Sequence, residues 1–269
     1  MIESKKPEKK RIRPAAVAGM FYPGDGATLR SMLEQMLMRA TTSGTAPKAL
    51  IVPHAGYIYS GQAAADAYAR LQNRQTPISK VVLLGPAHRV GFQGIAGSTA
   101  DYFVTPLGKI PLDRELMASA FQLEGVVPFD HAHAEEHSLE VQLPFLQSVL
   151  GDFTLAPFVV GDVPESLTAS LLEALWGGDE TLVVISSDLS HYLDYASAKQ
   201  RDSDTAHNIE TFHGERIGPQ DACGYGGIRG LLQVAAHKGM TVERVTLCNS
   251  GDTAGDKRRV VGYASYVLH

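Results

Sequence analysis

The sequence predicts an α/β fold, a three-layer sandwich around a mixed, mostly parallel central sheet, in a single domain over residues 13–269. Three observations predict it. Short apolar runs recur along the chain: Ala49-Leu50-Ile51-Val52, Val81-Val82-Leu83-Leu84, Phe158-Val159-Val160, Leu182-Val183-Val184-Ile185 and Val245-Thr246-Leu247. Runs of this length read as strands buried on both faces. Stretches with apolar residues three and four apart alternate with them, which places helices on both sides of the sheet. No internal repeat, low-complexity block or proline-rich linker divides the 269 residues.

Taken in order, the cluster Lys5, Lys6, Lys9, Lys10, Arg11 and Arg13 makes residues 1–12 a disordered, solvated basic tail. Asp25 is placed to cap a helix through Leu29, Met32, Leu33, Met36 and Leu37. The first strand runs into Pro53-His54-Ala55-Gly56-Tyr57, and residues 63–71 read as an alanine-rich helix. The second strand ends in Gly85-Pro86-Ala87-His88, followed by Gly91, Gly94 and Gly97, a breaker cluster that suits a loop at a site. Residues 101–110 have the look of short strands or a hairpin, and Asp113 caps a further helix. Residues 125–138 read as a long polar loop and 139–150 as a helix containing Pro144. Strands over 155–160 and 181–185 enclose a helix over 165–175, and a long helix follows His191. Another helix runs from Asp221 to near Gly239, and strands over 242–247 and 260–267 close the chain.

Charge and composition narrow the partners. The net charge of −5, from 24 basic and 29 acidic residues, argues against a nucleic-acid surface. No apolar stretch reaches the length of a membrane span, and the segment after the basic cluster leads to Tyr22-Pro23-Gly24-Asp25 rather than a cleavage site. Two cysteines, Cys223 and Cys248, cannot build a disulfide framework. These features lead to the expectation of a cytoplasmic protein with reduced thiols.

The strand runs end at residues able to do chemistry: His54, His88, Asp162, the Asp188/His191 pair and Cys248. In an open α/β sheet, ligands bind beyond the carboxyl ends of the strands, so distant residues converge there. One histidine in such a loop more often bonds a carbonyl; two in matching proline- and glycine-flanked contexts read as a metal-ligand pair. Cys248 stands at the same kind of strand end and offers a soft thiolate, although cysteines also fill space in cores. In Ser186-Ser187-Asp188-Leu189-Ser190-His191 one helical turn would bring Asp188 beside His191, as an acid–base pair or as a helix cap and first-turn residue. Of the run from Asp130 to His137, His131 and His133 fit no standard zinc spacing, whereas Glu136 and His137 are anchored by the apolar segment that follows. Cys223, in Asp221-Ala222-Cys223-Gly224, reads as structural. A Walker loop, a complete dinucleotide fingerprint, a Gly-x-Ser-x-Gly elbow and His-Glu-x-x-His are all missing.

Six segments together resemble the Memo family. They are residues 13–23 (Arg13 to Pro23), Pro53-His54-Ala55-Gly56-Tyr57, Leu84-Gly85-Pro86-Ala87-His88, Glu136-His137-Ser138-Leu139-Glu140, the Ser186 to His191 run and Cys248-Asn249-Ser250-Gly251-Asp252. The family's prokaryotic members are also called AmmeMemoRadiSam system protein B. The resemblance implies a fold like that of the class III extradiol dioxygenases, non-haem iron enzymes that cleave catechol rings. It implies His54 and His88 as metal ligands, Cys248 as the third ligand and His191 as the acid–base histidine. A cysteine in place of a carboxylate departs from the dioxygenase triad and favours copper or a redox-active iron over ring cleavage.

These readings combine into the expectation of a metal-binding, redox-active protein with one iron or copper ion on His54, His88 and Cys248. His191 moves protons, Asp188 orients it, and Tyr57, Glu136 and His137 line the pocket for a small-molecule or peptide ligand. The family also implies a radical-SAM system partner. Two rival readings are a non-catalytic module binding a phosphotyrosine-like peptide or small anion, and a ring-cleaving dioxygenase with Asp252 or Glu136 as the carboxylate ligand.

Overall fold

The computed structural model describes residues 10–269, the side chain of Asn73 excepted. The expected basic tail lies outside the described residues up to residue 9, and Ile12 already belongs to a strand. The first half of the chain forms β1 (Ile12–Arg13), α1 (Gly26–Arg39), β2 (Ala49–Val52), α2 (Tyr57–Tyr68), β3 (Lys80–Pro86) and β4 (Ile95–Gly97). It continues through the hairpin β5 (Tyr102–Thr105) and β6 (Gly108–Pro111), then α3 (Arg114–Ala120), β7 (Val126–Pro128), α4 (Asp130–Ala134) and α5 (Leu143–Val149). The second half forms β8 (Thr154–Val160), α6 (Glu165–Ala174), β9 (Thr181–Ser186), β10 (His191–Leu193), α7 (Tyr195–Glu210), α8 (Tyr225–His237), β11 (Val242–Asn249) and β12 (Val260–Leu268).

The main sheet has nine strands in the order β10-β12-β2-β9-β3-β8-β4-β7, with β11 also paired to β12. Its heart, β2-β9-β3-β8, is parallel. Both flanks are antiparallel where β12 meets β2, β10 and β11, and where β4 meets β8. The period-two alternation of each central strand divides its residues between two cores. Leu50, Val52, Val81, Leu83, Leu182 and Val184 pack with α1, α2 and α5, while Ala49, Ile51, Val82, Leu84, Val183 and Ile185 pack with α3, α6, α7 and α8. This is the three-layer α/β sandwich.

Several elements differ locally from the sequence reading. α2 begins at Tyr57, directly after the His54 loop, because Tyr57, Ala64, Ala65, Ala67 and Tyr68 form one buried face. Residues 125–138 hold β7 and α4 rather than an unbroken loop. Pro144 sits in the first turn of α5, where its missing N–H costs nothing. Residues 191–193 are a strand on β12, and the long helix starts only at Tyr195, capped by the Asp194 side chain. Among the described residues no helix is long and apolar enough to cross a membrane.

Candidate metal centre

The carboxyl ends of β2, β3 and β9 deliver His54, His88 and Ser186 to one edge of the sheet, where the loop before α8 meets them. Among the described residues two groups bring ligand atoms within 4.8 Å of one another: His54, His88 and Cys223, and His88, Glu136 and His137.

Hydrogen bonds fix how each imidazole presents itself. The Ser186 hydroxyl donates to Ser138 O at 2.6 Å and accepts from Gln142 Nε2 at 2.8 Å. Its hydrogen is therefore spent, so at 2.9 Å it accepts from His54 Nδ1, leaving the lone pair on Nε2. That Nε2 lies 3.3 Å from Cys223 Sγ. His88 Nδ1 donates to Glu136 Oε1 at 2.9 Å, and its backbone N–H donates to Oε2 at 2.7 Å, which again leaves Nε2 as the free lone pair. Such outer partners are what a metal-binding histidine needs to hold its tautomer and orientation.

Charge in the site is set by burial. Burial first, then His88, His137 and His191, hold the His54 pKa well below the ordinary imidazole value, so the ring is neutral and a competent ligand. Burial and the Asp188 carboxylate push the Cys223 thiol up to about 12. Glu136 is opposed by burial but held at about 2 by its bonds to His88 and to Ser138 N. Burial raises Asp188 to about 6 against the bond from His54 N, 2.7 Å, and the charges of His191 and His88.

The donor set of the first group fits a metal ion. Two lone pairs and a thiol converge, and 3.3 Å between Nε2 and Sγ is close to the edge of a tetrahedron with bonds of about 2.0–2.3 Å, roughly 3.5 Å. In the second group Glu136 already accepts three N–H bonds, two from His88, so a metal there would break the bonds that aim His88. We take the first group as the candidate centre.

The thiol beside the histidines is thus Cys223, which the sequence reading assigned a structural place. Cys248, expected as third ligand, belongs to neither group. It pairs with Tyr263 across β11 and β12 and lines a separate cavity with Tyr195, Lys199 and Asp202. The reason is register: β11 runs along the outer side of β12, away from β2. The loop carrying Cys223 is instead stitched to the β9 end. Cys223 N donates to Asp188 O at 3.3 Å and Gly224 N to Ser187 Oγ at 2.9 Å. A Cβ on Gly224 would lie 2.7 Å from Ser186 O, so only glycine fits there. The glycine-rich run Cys223-Gly224-Tyr225-Gly226-Gly227 was the available signal, of the same kind that marked the His88 loop.

The remaining expected residues divide. Glu136, expected to line the pocket, holds His88 through both of its carboxylate oxygens. His137 stacks on His88 (centroids 4.6 Å, 24°), meets Phe21 at 4.6 Å, and has a buried Nδ1 that lies 3.4 Å from Glu136 Oε1 and makes no hydrogen bond among the described residues. Tyr57 is a core residue, 4% exposed, whose hydroxyl donates to Val141 O at 2.7 Å. Asp188 and His191 share no helix and no hydrogen bond among those present: Asp188 accepts from His54 N, while His191 Nδ1 donates to Leu189 O at 2.8 Å. Orientation of His191 therefore comes from a carbonyl, and its Nε2 has no hydrogen bond among the described residues. Tyr192, next to it, has φ of +62°, an uncommon and strained value for a bulky residue. Asp252, the other proposed carboxylate ligand, is tied to Asn249 N at 3.0 Å and Tyr195 Oη at 2.6 Å. His133 is buried against Ala96 O, and Asp162 accepts from Gln93.

Comparison with known proteins bears on the family and the fold. The sequence profile described as Memo-like protein matches residues 13–267. A MEMO1 family protein of Aquifex aeolicus is 35% identical over 272 residues, covering 96% of this chain and 99% of the relative. One from Methanosarcina mazei is 36% identical over 275 residues, again covering 96% and 99%. The solved structure of an uncharacterized protein, JW3007, from Escherichia coli K12 aligns with a TM-score of 0.53 at 12% identity, over 81% of this chain and 98% of that one. At that identity the likeness is one of fold alone.

Proposed function

This chain belongs to the Memo family, and on that premise we propose that it holds one iron or copper ion on His54 Nε2, His88 Nε2 and Cys223 Sγ and uses it in redox chemistry on a small molecule. The observation that carries the proposal is the pair of hydrogen-bonded imidazoles: Ser186 and Glu136 each take an Nδ1 hydrogen, which leaves both Nε2 atoms as lone-pair donors, with His54 Nε2 3.3 Å from the Cys223 thiol and ligand atoms of all three residues within 4.8 Å of one another. Two imidazoles with a thiolate form a soft donor set suited to copper or iron. When bound, such an ion supplies a centre that can change oxidation state.

The residues around it manage protons and orientation. Burial keeps Cys223 a thiol in the metal-free protein, so its proton must leave when it becomes a ligand. His191 is held through Nδ1 by Leu189 O, and its Nε2 has no hydrogen bond among the described residues, which supports it as the group that accepts or returns a proton. Asp188 secures the His54 backbone and lends the site a buried negative charge.

Elemental analysis tests the reading, on protein purified without added metal and after anaerobic loading with iron(II) or copper(I). Wild type and Cys248→Ser should carry near-stoichiometric metal, His54→Ala should lose it, and Cys223→Ser should bind at least ten-fold more weakly and lose any thiolate-to-metal absorption band. Undiminished metal in Cys223→Ser would remove the thiol from the site. No metal in wild type under either loading would turn the interpretation toward a ligand-binding module.

A further inference from the structure

Next to Cys223 the surface opens into a cleft of about 580 Å³ lined by Ala87, Phe92, Gln93, Asp162, Cys223 and Tyr225, among others. Its walls are built rather than incidental. Asp162 N donates to Phe92 O at 2.9 Å, and Gly94 N donates to Asp162 O at 3.1 Å, so the loop after β3 is zipped to the end of β8. Gly161 has no room for a Cβ because Phe92 O occupies the space. Phe92 is set edge-on against Phe129, with centroids 5.5 Å apart at 79°.

The lining is one-sided in charge. Apart from the Cys223 thiol and the Tyr225 phenol, Asp162 is its single ionisable side chain. Gln93 Nε2 holds one carboxylate oxygen at 2.8 Å, which fixes the group and leaves the other oxygen without a hydrogen bond among the described residues. Arg229 sits 5.4 Å over the Tyr225 ring but is not itself part of the lining. Its guanidinium is held by Ile217 O and Glu215 O. The two rings, Phe92 and Tyr225, offer apolar area to a flat partner.

The geometry points to a cationic amine on an aromatic body as the ligand class of this cleft, with the ring against Phe92 and Tyr225 and the ammonium on Asp162. Cys223 marks the end of the cleft where the metal centre begins. The inference rests on the proposed function for calling this ligand a substrate; the charge preference itself requires no metal.

Matched probes of opposite charge test it: phenethylammonium and 3-phenylpropanoate, titrated calorimetrically into the full chain, metal-stripped and metal-loaded. Wild type should prefer the ammonium by about three- to five-fold, as expected for one partly exposed ion pair. Asp162→Asn should abolish the preference and Asp162→Lys should reverse it, while Phe92→Ala should weaken both probes together. A preference that survives in Asp162→Asn, or no binding of either probe to wild type, would overturn the assignment. Metal content is measured on the same samples. An Asp162-dependent preference in a protein that takes up no metal would sink the metal reading and leave this one standing; metal uptake without the preference would do the reverse.

Discussion

Glu136 shows how much of a site can depend on one residue that touches no ligand. Its two oxygens receive His88 Nδ1–H, His88 N–H and Ser138 N–H, and the His137 ring stands 3.4 Å away. Glutamine has the same size but only one good acceptor, and its amide would confront a donor with a donor. Glu136→Gln should therefore leave the protein folded yet lower metal affinity about 10- to 100-fold, the usual cost of losing an outer partner. Competition against a chelator of known affinity measures this, and wild-type affinity in the variant would show that His88 needs no such hold. At this scale the sequence was partly legible. His54 and His88 were findable because each follows an apolar run. The choice between two cysteines was not, because a strand end points to the site only if its strand lies in the parallel heart of the sheet. Cys248 satisfies the local rule on an edge strand, where the rule loses its force. Ser186 and Gln142 act only through contacts across 132 and 89 residues, to His54 and Pro53, which no local pattern encodes.

At the scale of elements, the N-terminal segment is held by a buried charge rather than by its own secondary structure. β1 has two residues, yet Arg13 and Glu140 form an ion pair in which Glu140 is fully buried. Glu140 also accepts from Ala16 N, Val17 N and Tyr22 Oη, at 2.7, 3.0 and 2.5 Å, while Arg13 donates to His133 O and Glu136 O. Folding the segment down places Phe21 against His137 and lets Phe21 O receive Tyr57 N at the start of α2. Breaking a buried pair by neutralising one member costs about 3–5 kcal/mol, because the other charge stays buried without compensation. Glu140→Gln should cost that much in urea unfolding. Arg13→Met, which leaves Glu140 its three other donors, should cost less. Equal stability of Glu140→Gln and wild type would mean that the segment is held by its apolar contacts alone. The resemblance had marked residues 13–23 and Glu140 as family motifs. Their tie to each other spans 127 residues and became readable only in the structure.

The whole molecule is two cores divided by one sheet, and that division was the most legible feature of the sequence because period-two alternation in a doubly buried strand requires it. The antiparallel margins and the small sheet of β1, β5 and β6 were less so, since short strands carry little periodicity. One buried group ties the stability of the whole to pH. Asp202, on the inner face of α7, is 2% exposed, accepts from Ser190 N at 3.0 Å and fills the space beside Gly262, where a Cβ would collide with its carboxylate. Burial raises its pKa to about 6, opposed by the Ser190 bonds and Arg201. The folded value lies above the ordinary 3.8, so the favourable contribution is fully present below about pH 4 and is lost as pH rises through 6. Asn at this position keeps an acceptor for Ser190 and removes the titration. The stability of Asp202→Asn relative to wild type should therefore climb by about 1–3 kcal/mol between pH 4 and pH 7, whatever constant offset the substitution adds. Urea unfolding of both proteins across that range reads the slope. A flat difference would mean that Asp202 ionises in the fold as easily as in the unfolded chain, and that the space beneath α7 is wetter than its packing against Gly262 and Ser190 requires.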